Sequence, residues 1–338
     1  MAFSDLLSRV ASGETLSAMD AEAAMALILE GAASTAQMAA FLVALRLRGE
    51  TGDELYGFAR AMRAKSERVD AGAGPVLDTC GTGGDGLGTF NISTVAALVV
   101  AGAGVKVAKH GNRSVTSPAG SADVLEALGV KIDLTPERMG RSIREVGIGF
   151  LFAPALHPAM KNAMPARREL KMRTVFNLLG PLTNPAGASR QLLGAPSERS
   201  AELMAGALAR LGTEHAFVVH GSDGLDEVTT TGETLAFEIR GSEVRRLALT
   251  PEQFGVARAK IENLRAGDRA EVLRIARAVL AGEKGAARDI VLVNASVALM
   301  AAGRAGDFRE GVAVAAESID GGKAVAKLDA LAHFSQGV

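Results

Sequence analysis

Residues 78–94 read DTCGTGGDGLGTFNIST, and five glycines fall within the eight positions from Gly81 to Gly88. The PVLDT segment that leads into them has the composition of a β-strand. The STVAALVVAGAG segment that follows reads as a helix that is capped by Ser93 or Thr94 and ended by glycine. VKVAK then reads as a second strand. This order of strand, glycine turn, helix and strand predicts a βαβ-like unit.

The alternation of strands and helices continues along the chain. SADVLEALG, TPERMGRSIREVG and SERSAELMAGALARLG have helical spacing, and VKIDL, IGFLF, RQLLGA and HAFVVHG read as strands. The last ~70 residues read as helical except for DIVLVN, an apolar run that we predict to be a buried strand. The fold class predicted is α/β, with a mostly parallel central sheet covered by helices.

The N-terminal part has a different character. From Leu16 to about Lys65 the apolar residues recur at three- and four-residue spacing, without a strand signal. AGAGP at residues 71–75 reads as a linker. We therefore predict a small helical domain over residues 1–70 and a larger α/β domain over residues 71–338. The irregular segment 153–185 is rich in proline, asparagine and basic residues, and we expect part of residues 160–190 to pack on the helical domain.

Composition narrows the class of function. The chain has 37 Lys and Arg against 38 Asp and Glu, with no Trp and one Tyr, which leaves little for nucleic acid to contact. Cys80 is the only cysteine, so the sequence contains no internal disulfide and fits a reducing compartment. MAFSDLLSRV lacks a signal-peptide pattern, and the longest apolar stretch is too short to cross a bilayer. We expect a soluble cytoplasmic protein that binds neither nucleic acid nor membrane.

The glycine loop GTGGDG formally matches a dinucleotide fingerprint, but its surroundings do not. No acid lies between Asp85 and Asp123 to bind ribose hydroxyls, and no Walker lysine follows at the required spacing. The interval instead contains Lys106, Lys109 and a KHGNRSVTS segment. Free backbone N–H groups, a helix N-terminus and these cations favour a multiply charged phosphate. The alternative is that the glycines only form a tight turn.

Two further groups of polar residues indicate binding chemistry. Asp226 and Glu227 follow the HAFVVHG strand, where adjacent carboxylates suit Mg²⁺ unless they are a solvated turn pair. Arg167 and Arg168 could hold a carboxylate through paired hydrogen bonds, although surface arginines are usually solvated.

The remaining candidates have ordinary interpretations. His110 and His157 could be loop histidines, and no His/Cys spacing supports a zinc site. Cys80 is expected to be a packing residue, because the sequence suggests no base to activate it.

Five segments together resemble the anthranilate phosphoribosyltransferase family over nearly the whole chain. The segments are GTGGDGLGTFNIST, KHGNRSVTSPAGSADVLEALG, HPAMKNAMPARREL, RTVFNLLGPLTNP and HGSDGLDEVT. The resemblance implies transfer of the phosphoribosyl group of 5-phosphoribosyl pyrophosphate (PRPP) to the amine of anthranilate, with Mg²⁺ as cofactor. It also implies the fold shared with pyrimidine nucleoside phosphorylases and a homodimer formed through the helical parts.

The resemblance assigns roles to residues of this sequence. It implies catalytic roles for Lys109, Asp226 and Glu227, and a metal site of Ser93, Asp226 and Glu227. It implies that anthranilate meets Gly81, His110, Asn112, His157 and Arg167. The PRPP site that it implies consists of Gly81, Gly84, Asp85, Thr89, Asn91, Ile92, Ser93, Thr94, Lys109, His110, Gly111, Asn112, Arg113, Ser114, Val115, Thr116, Ser117 and Ser121.

One segment departs from the family pattern. Relatives commonly carry a Ser-Ser-basic pattern after the KHGNR core, whereas this chain has Thr116-Ser117-Pro118. The hydroxyls are kept, but the positive charge is absent at Pro118, which bears on PRPP affinity rather than on the reaction type. A pyrimidine nucleoside phosphorylase remains the nearest alternative enzyme, although a single phosphate does not need the carboxylate pair.

Overall fold

The computed structural model describes residues 2–83, 85–114 and 119–337, and its first part is helical. Ser17, Ser34 and Thr51 cap the second, third and fourth helices through their side-chain oxygens. The helices are α1 (Phe3–Ala11), α2 (Ala18–Leu29), α3 (Thr35–Arg48) and α4 (Gly52–Ala64).

A buried carboxylate holds these helices together. Glu54, on α4, is fully buried and accepts hydrogen bonds from the backbone N–H of Leu16 and of Thr51, both at 2.9 Å. The guanidinium of Arg48 pairs with the same carboxylate at 2.5 and 2.6 Å. Because every lone pair is used in a dry environment, this one side chain fixes the end of α3 and the chain before α2 against α4.

Seven strands in the described ranges form one sheet, in the order β3-β2-β1-β4-β5-β6-β7. The pairs from β3 to β5 are parallel, while β6 and β7 are added antiparallel. The strands are β1 (Leu77–Gly81), β2 (Val107–Gly111), β3 (Ile148–Phe152), β4 (Arg190–Gly194), β5 (His215–Gly221), β6 (Thr234–Arg240) and β7 (Glu243–Leu249).

Helices cover both faces of this sheet. One face carries an apolar core that includes α5 and α12–α15, and the other shares its core with α11 and the N-terminal helices. The helices after β1 are α5 (Ile92–Gly102), α6 (Ser121–Ala127), α7 (Pro136–Glu145), α8 (Ala153–Leu156), α9 (Met164–Leu170), α10 (Phe176–Leu179), α11 (Glu198–Arg210), α12 (Arg269–Leu280), α13 (Ala286–Ala301), α14 (Phe308–Asp320) and α15 (Lys323–Gln336).

The irregular segment between β3 and β4 consists of short helical pieces. Beside α8–α10 it contains 3-10 turns at Pro158–Asn162 and Gly180–Leu182. Ala163, Ala166 and Phe176 join the core formed by the N-terminal helices. The segment therefore bridges the C-terminal edge of the sheet and α1–α4.

The fold class is confirmed, but two predicted strands are wrong. DIVLVN lies inside α13, whose residues from Ile290 to Leu299 are all buried, so its unbroken apolar run reflects a helix packed on every side. VKIDL, residues 130–134, alternates buried and exposed side chains as a strand does. The N–H of Lys131 donates to Ser335 Oγ instead of a strand, so this extended segment lies outside the sheet.

Other boundaries also differ from the prediction. The helix after the glycine loop begins at Ile92 with Asn91 at its N-cap, two residues or more before the Ser93 or Thr94 cap that we predicted. Helix α1 and the β6–β7 hairpin were not predicted. None of the helices in the described ranges combines the length and apolar character that crossing a bilayer requires.

Candidate active site

The carboxyl ends of the parallel strands meet at one edge of the sheet. Chain order reverses between β1 and β4, because β2 and β3 lie on one side of β1 and β4 and β5 lie on the other. In open α/β sheets such a reversal opens a crevice in which ligands bind. The glycine loop leaves β1 at this point, and the KHGNR segment leaves the neighbouring β2.

The loop that carries Asp226 and Glu227 packs directly on two of these strand ends. A Cβ atom added to Gly194 would lie 1.6 Å from the backbone oxygen of Asp226. A Cβ atom added to Gly81 would lie 2.3 Å from Asp226 Oδ2. Both positions therefore require glycine for reasons of space, and Gly194 was not singled out from the sequence.

Each carboxylate of this loop holds a different backbone N–H. Asp226 Oδ2 accepts from the N–H of Gly83 at 2.7 Å, which ties the glycine loop to the loop after β5. Glu227 Oε1 accepts from the N–H of Ser93 at 3.1 Å, at the first turn of α5. A carboxylate is favoured there by the partial positive charge of the helix N-terminus.

Burial disfavours the charged forms of these two carboxylates. Burial raises the pKa of Asp226 to about 6, and the charge of Asp85 adds to this effect. Burial, followed by the charge of Asp226, raises the pKa of Glu227 to about 8. A cation between them would remove this penalty.

The backbone after the carboxylate pair is held by a residue that sequence analysis missed. Asn294, fully buried on α13, accepts from the N–H of Val228 and donates to its carbonyl, both at 2.9 Å. The same amide donates to the carbonyl of Ile290 at 2.9 Å. Its only signal in the sequence was an asparagine in an otherwise apolar run.

Lys109 lies on β2, and its buried side chain reaches the end of the neighbouring β1. Its ammonium donates to the carbonyl of Thr79 and lies 3.5 Å from Ser93 Oγ. Burial lowers the pKa of Lys109, and the carboxylate of Asp78 opposes this effect. Asp78 is itself fully buried, and its oxygens accept from the N–H of His110 at 3.0 Å and from Asn184 Nδ2 at 2.8 Å. Sequence analysis missed this support beneath the lysine.

Two histidines lie side by side near this edge. The ring centroids of His110 and His157 are 5.2 Å apart, and His110 Nδ1 lies 3.2 Å from the carbonyl oxygen of Gly180. The Nε2 atom of each ring is buried without a hydrogen-bond partner among the described residues. Burial lowers the pKa of His110 to about 3, to which the charge of His157 contributes, and burial lowers the pKa of His157 to about 4.

The two predicted arginines differ sharply. The guanidinium carbon of Arg167 lies 5.2 Å from the centroid of the Phe176 ring, and burial lowers the pKa of Arg167. Within the described ranges its guanidinium makes no hydrogen bond or ion pair. Arg168, the next residue, is exposed.

The glycine loop is also braced by Arg173, which sequence analysis missed. Arg173 donates to the carbonyl of Gly83 at 2.6 Å, and Asp85 accepts from the N–H of Leu87 at 3.1 Å. Thr89 pairs with Arg265 in an isolated bridge. Gly84 lies outside the described residues.

The start of α5 is connected to the loop after β2. Asn91 Nδ2 donates to the carbonyl of Ala119 at 2.6 Å, and its Oδ1 accepts from Thr94 Oγ1 at 3.0 Å. Ile92 is buried in the adjacent core. Cys80 Sγ lies 3.6 Å from Asp78 Oδ2, and burial raises the pKa of the Cys80 thiol, which agrees with a packing role.

The loop after β2 is organised by Asp123. Asp123 Oδ2 accepts from the N–H of Ser114 at 3.1 Å and of Gly120 at 2.9 Å. Arg113 pairs with Asp123 at 3.0 Å and with Glu126 at 2.9 Å, so its guanidinium is directed to α6.

The other residues of this loop have less specific surroundings. Ser121 Oγ donates to the carbonyl of the exposed Asn112 at 3.3 Å, and a Cβ at Gly111 would lie 2.2 Å from the same hydroxyl. The segment that departs from the family pattern lies outside the described residues, which leaves out Val115, Thr116, Ser117 and Pro118.

Comparison with known proteins identifies the family. Residues 73–325 match the family model "Glycosyl transferase family, a/b domain", and residues 4–66 match "Glycosyl transferase family, helical bundle domain". An anthranilate phosphoribosyltransferase from Solibacter usitatus (strain Ellin6076) is 63% identical over 331 residues, which are 97% of each chain. The chain belongs to the anthranilate phosphoribosyltransferase family.

Solved structures of the anthranilate phosphoribosyltransferase family agree with this placement. The enzyme from Thermus thermophilus superposes with a TM-score of 0.93 at 46% identity, over 98% of this chain and 99% of that one. The enzyme from Saccharomyces cerevisiae in complex with PRPP and Mg superposes with a TM-score of 0.90 at 29% identity, over 99% of this chain and 98% of that one. The family predicted from the sequence is confirmed.

The close approach at β4 gives a first prediction. Gly194→Ala would place a Cβ 1.6 Å from the Asp226 carbonyl oxygen, so the carboxylate loop must move. We expect phosphoribosyl transfer to fall by about a hundredfold or more, because misplacing reacting groups by an ångström has costs of this order. Gly206→Ala is the control, since its Cβ meets no atom within 4 Å on the exposed side of α11. Normal turnover by Gly194→Ala would contradict the steric requirement.

The histidine pair gives a prediction about pH. With pKa values of about 3 for His110 and about 4 for His157, both rings stay neutral in the folded protein near neutral pH. The urea-unfolded chain takes up these protons at about pH 6.5, so the two rings lower the free energy of unfolding as the pH falls below that value. Histidine NMR signals followed against pH check this. A folded-state midpoint between about pH 6 and 7 for either ring would contradict it.

Proposed function

We propose that this chain transfers the 5-phosphoribosyl group of PRPP to the amine of anthranilate, using Mg²⁺, at the C-terminal edge of the sheet. The observation that carries the proposal is the joining of two chemically different halves at one edge. One half combines a glycine loop, a helix N-terminus, Lys109, the buried carboxylate of Asp226 and the partly buried carboxylate of Glu227. The other half consists of two neutral histidines, and the segment that carries His157 continues to Arg167, which has no carboxylate partner among the described residues.

The donor set fits Mg²⁺ held together with a phosphate substrate. Glu227 follows Asp226 in the chain and accepts from the N–H of Ser93. The raised pKa values of the two carboxyl groups show that burial disfavours their charged forms, which a bound cation would restore. Mg²⁺ commonly takes one or two carboxylates and completes its shell with substrate phosphates and water, so Asp226 and Glu227 would be enough on the protein side.

The phosphate half would bind PRPP through backbone N–H groups and Lys109. The N–H groups of Gly83 and Ser93 already donate to Asp226 and Glu227, so PRPP would use the remaining N–H groups of the loop or take over these two from the carboxylates. Asn91 joins the first turn of α5 to the loop after β2. These positions, together with the KHGNRSVTS segment, form the PRPP site in this proposal. Arg113 would act through the shape of that loop, because its guanidinium already pairs with Asp123 and Glu126.

The other half would bind anthranilate. Arg167 can offer its guanidinium to the carboxylate of anthranilate, while Phe176 keeps that guanidinium in place. His110 and His157 remain neutral and therefore add no competing charge beside the aromatic ring. The Saccharomyces cerevisiae enzyme solved in complex with 4-fluoroanthranilate, 28% identical to this chain, supports an aromatic acid as the acceptor.

The reaction needs stabilisation of charge more than a strong base. The amine attacks C1 of the ribose as the bond to pyrophosphate breaks, and negative charge grows on the departing oxygens. In this proposal Lys109, which is buried, and N–H groups of the glycine loop stabilise that charge in a site of low dielectric constant. When bound, Mg²⁺ would supply further neutralisation of the pyrophosphate. An aromatic amine is mostly neutral near pH 7, so it can attack before it loses its proton.

Assembly as a homodimer through the helical part belongs to the same proposal. Met19 on α2 and Leu47 on α3 are 79% and 82% exposed, which is unusual for large apolar side chains and suits an interface. The cytoplasmic location expected from the sequence stays a prediction.

The function is tested by mixing the purified protein with PRPP, Mg²⁺ and anthranilate. Loss of anthranilate fluorescence and release of pyrophosphate are followed together, and each component is omitted in turn. We expect both signals only when all three are present. A parallel reaction with a pyrimidine nucleoside and inorganic phosphate tests the nearest alternative, and phosphorolysis without anthranilate consumption would overturn the proposal.

The carboxylate contact is tested by a pair of neighbouring substitutions. We expect Arg167→Ala to raise the KM for anthranilate about tenfold or more with little change in the KM for PRPP, because one charge-assisted contact is lost. Arg168→Ala is the matched control, since Arg168 is exposed and adjacent. An equal rise in both KM values for Arg167→Ala would show that this arginine does not act on the carboxylate.

A further inference from the structure

A polar cavity lies beside the candidate active site, on the side of the sheet that faces the N-terminal helices. It has a volume of about 220 Å³ and lies between the end of α3, the segment that leads into α10 and the start of α11. Its lining includes three arginines, Arg46, Arg173 and Arg199, one from each of these segments. None of the three belongs to the PRPP, anthranilate or metal sites proposed above.

Positive charge exceeds negative charge in this cavity. Glu50 is the one carboxylate among the described residues that line it, so three arginines and one glutamate give a net charge of +2. Burial lowers the pKa of Arg173; the charges of Asp226 and Asp85 oppose this effect, and the charge of Arg46 adds to it. Arg199 has a distant and exposed partner, Glu202 at 3.9 Å. Such an excess of charge favours an anion.

Two residues that line the cavity, Thr174 and Asn177, carry polar atoms without a hydrogen-bond partner among the described residues. Thr174 is 4% exposed, and its hydroxyl has no hydrogen-bond partner within the described part of the chain. Asn177 uses Oδ1 to accept from the N–H of Thr174 at 3.0 Å, and its Nδ2 group makes no hydrogen bond with a described residue. A buried hydroxyl without a partner costs free energy, so rotation of the Thr174 side chain toward an acceptor bound in the cavity would be favoured.

One wall of the cavity is connected to the glycine loop. Arg173 donates to the carbonyl of Gly83 at 2.6 Å, and the N–H of Gly83 donates to Asp226 at 2.7 Å. An anion that draws the Arg173 guanidinium into the cavity would weaken the contact that braces the loop.

We propose that this cavity is a second anion site, which binds a tetrahedral oxyanion with two negative charges and thereby loosens the glycine loop through Arg173. Inorganic phosphate and the phosphate group of a small ester share this chemistry. Arginine forks and hydroxyl groups suit such an oxyanion, and a dianion matches the net charge of +2. The site makes PRPP binding sensitive to the concentration of free phosphate groups.

The test measures anion binding while the candidate active site is filled. The protein is saturated with PRPP and Mg²⁺ without anthranilate, and its melting temperature is followed as inorganic phosphate replaces chloride at constant ionic strength. A second series uses ribose 5-phosphate, which distinguishes the free anion from an ester. We expect phosphate to stabilise the wild-type protein and to bind at least about tenfold more weakly to the double variant Arg46→Gln/Arg199→Gln.

A charge-matched control separates the cavity from general electrostatics. Arg245→Gln/Arg277→Gln removes the same charge from exposed positions on β7 and α12 and should keep the wild-type response. Equal responses of the two double variants would overturn the proposal. PRPP alone gives an independent check, because failure of PRPP to stabilise any variant counts against the proposed function and not against the cavity.

The coupling to the glycine loop has its own measurement. Phosphate can compete directly with PRPP at its site in both the wild-type protein and Arg46→Gln/Arg199→Gln. Only the wild-type protein keeps the intact cavity, so phosphate should raise its KM for PRPP more. The same rise in both proteins would show that an anion in the cavity does not reach the loop.

Discussion

The site depends on the close approach of Asp226 to the backbone at the ends of β1 and β4. The loop that carries Asp226 and Glu227 lies so near these strands that neither Gly81 nor Gly194 can carry a side chain. This contact places the two carboxylates that follow β5 beside the glycine loop of β1 and the first turn of α5. Asn294 then fixes the backbone after the carboxylates from the far side of the core.

Burial without full compensation gives these groups their chemical character. The carboxylates of Asp226 and Glu227 have raised pKa values, and the lysine between the strands has a lowered one, because the protein removes water without pairing every charge. Where a group serves only the scaffold, as Glu54 does, every lone pair is satisfied. The contrast between satisfied and unsatisfied buried charge separates the helical scaffold from the ligand-binding edge.

The segment between β3 and β4 connects the sheet to the N-terminal helices. It carries His157 and Arg167 as well as Arg173, which touches the glycine loop. Its side chains Ala163, Ala166 and Phe176 are buried with the N-terminal helices. The proposed anthranilate half and the arginine-lined cavity therefore both lie where the helical part meets the sheet, so relative movement of these parts would act on both.

The sequence by itself determined the α/β class, the N-terminal helices and the family, because glycine spacing, helical periodicity and five long motifs are local properties. It could not decide whether VKIDL pairs with a strand or whether DIVLVN is a helix, since an apolar run fits either state until its neighbours are known. The tertiary structure alone decided which residues support the site. Asp78, Asn184, Arg173 and Asn294 act on groups that are distant along the chain, as Asn294 does on Val228, 66 residues away. Such contacts arise from packing of the whole fold, and no short stretch of sequence records them.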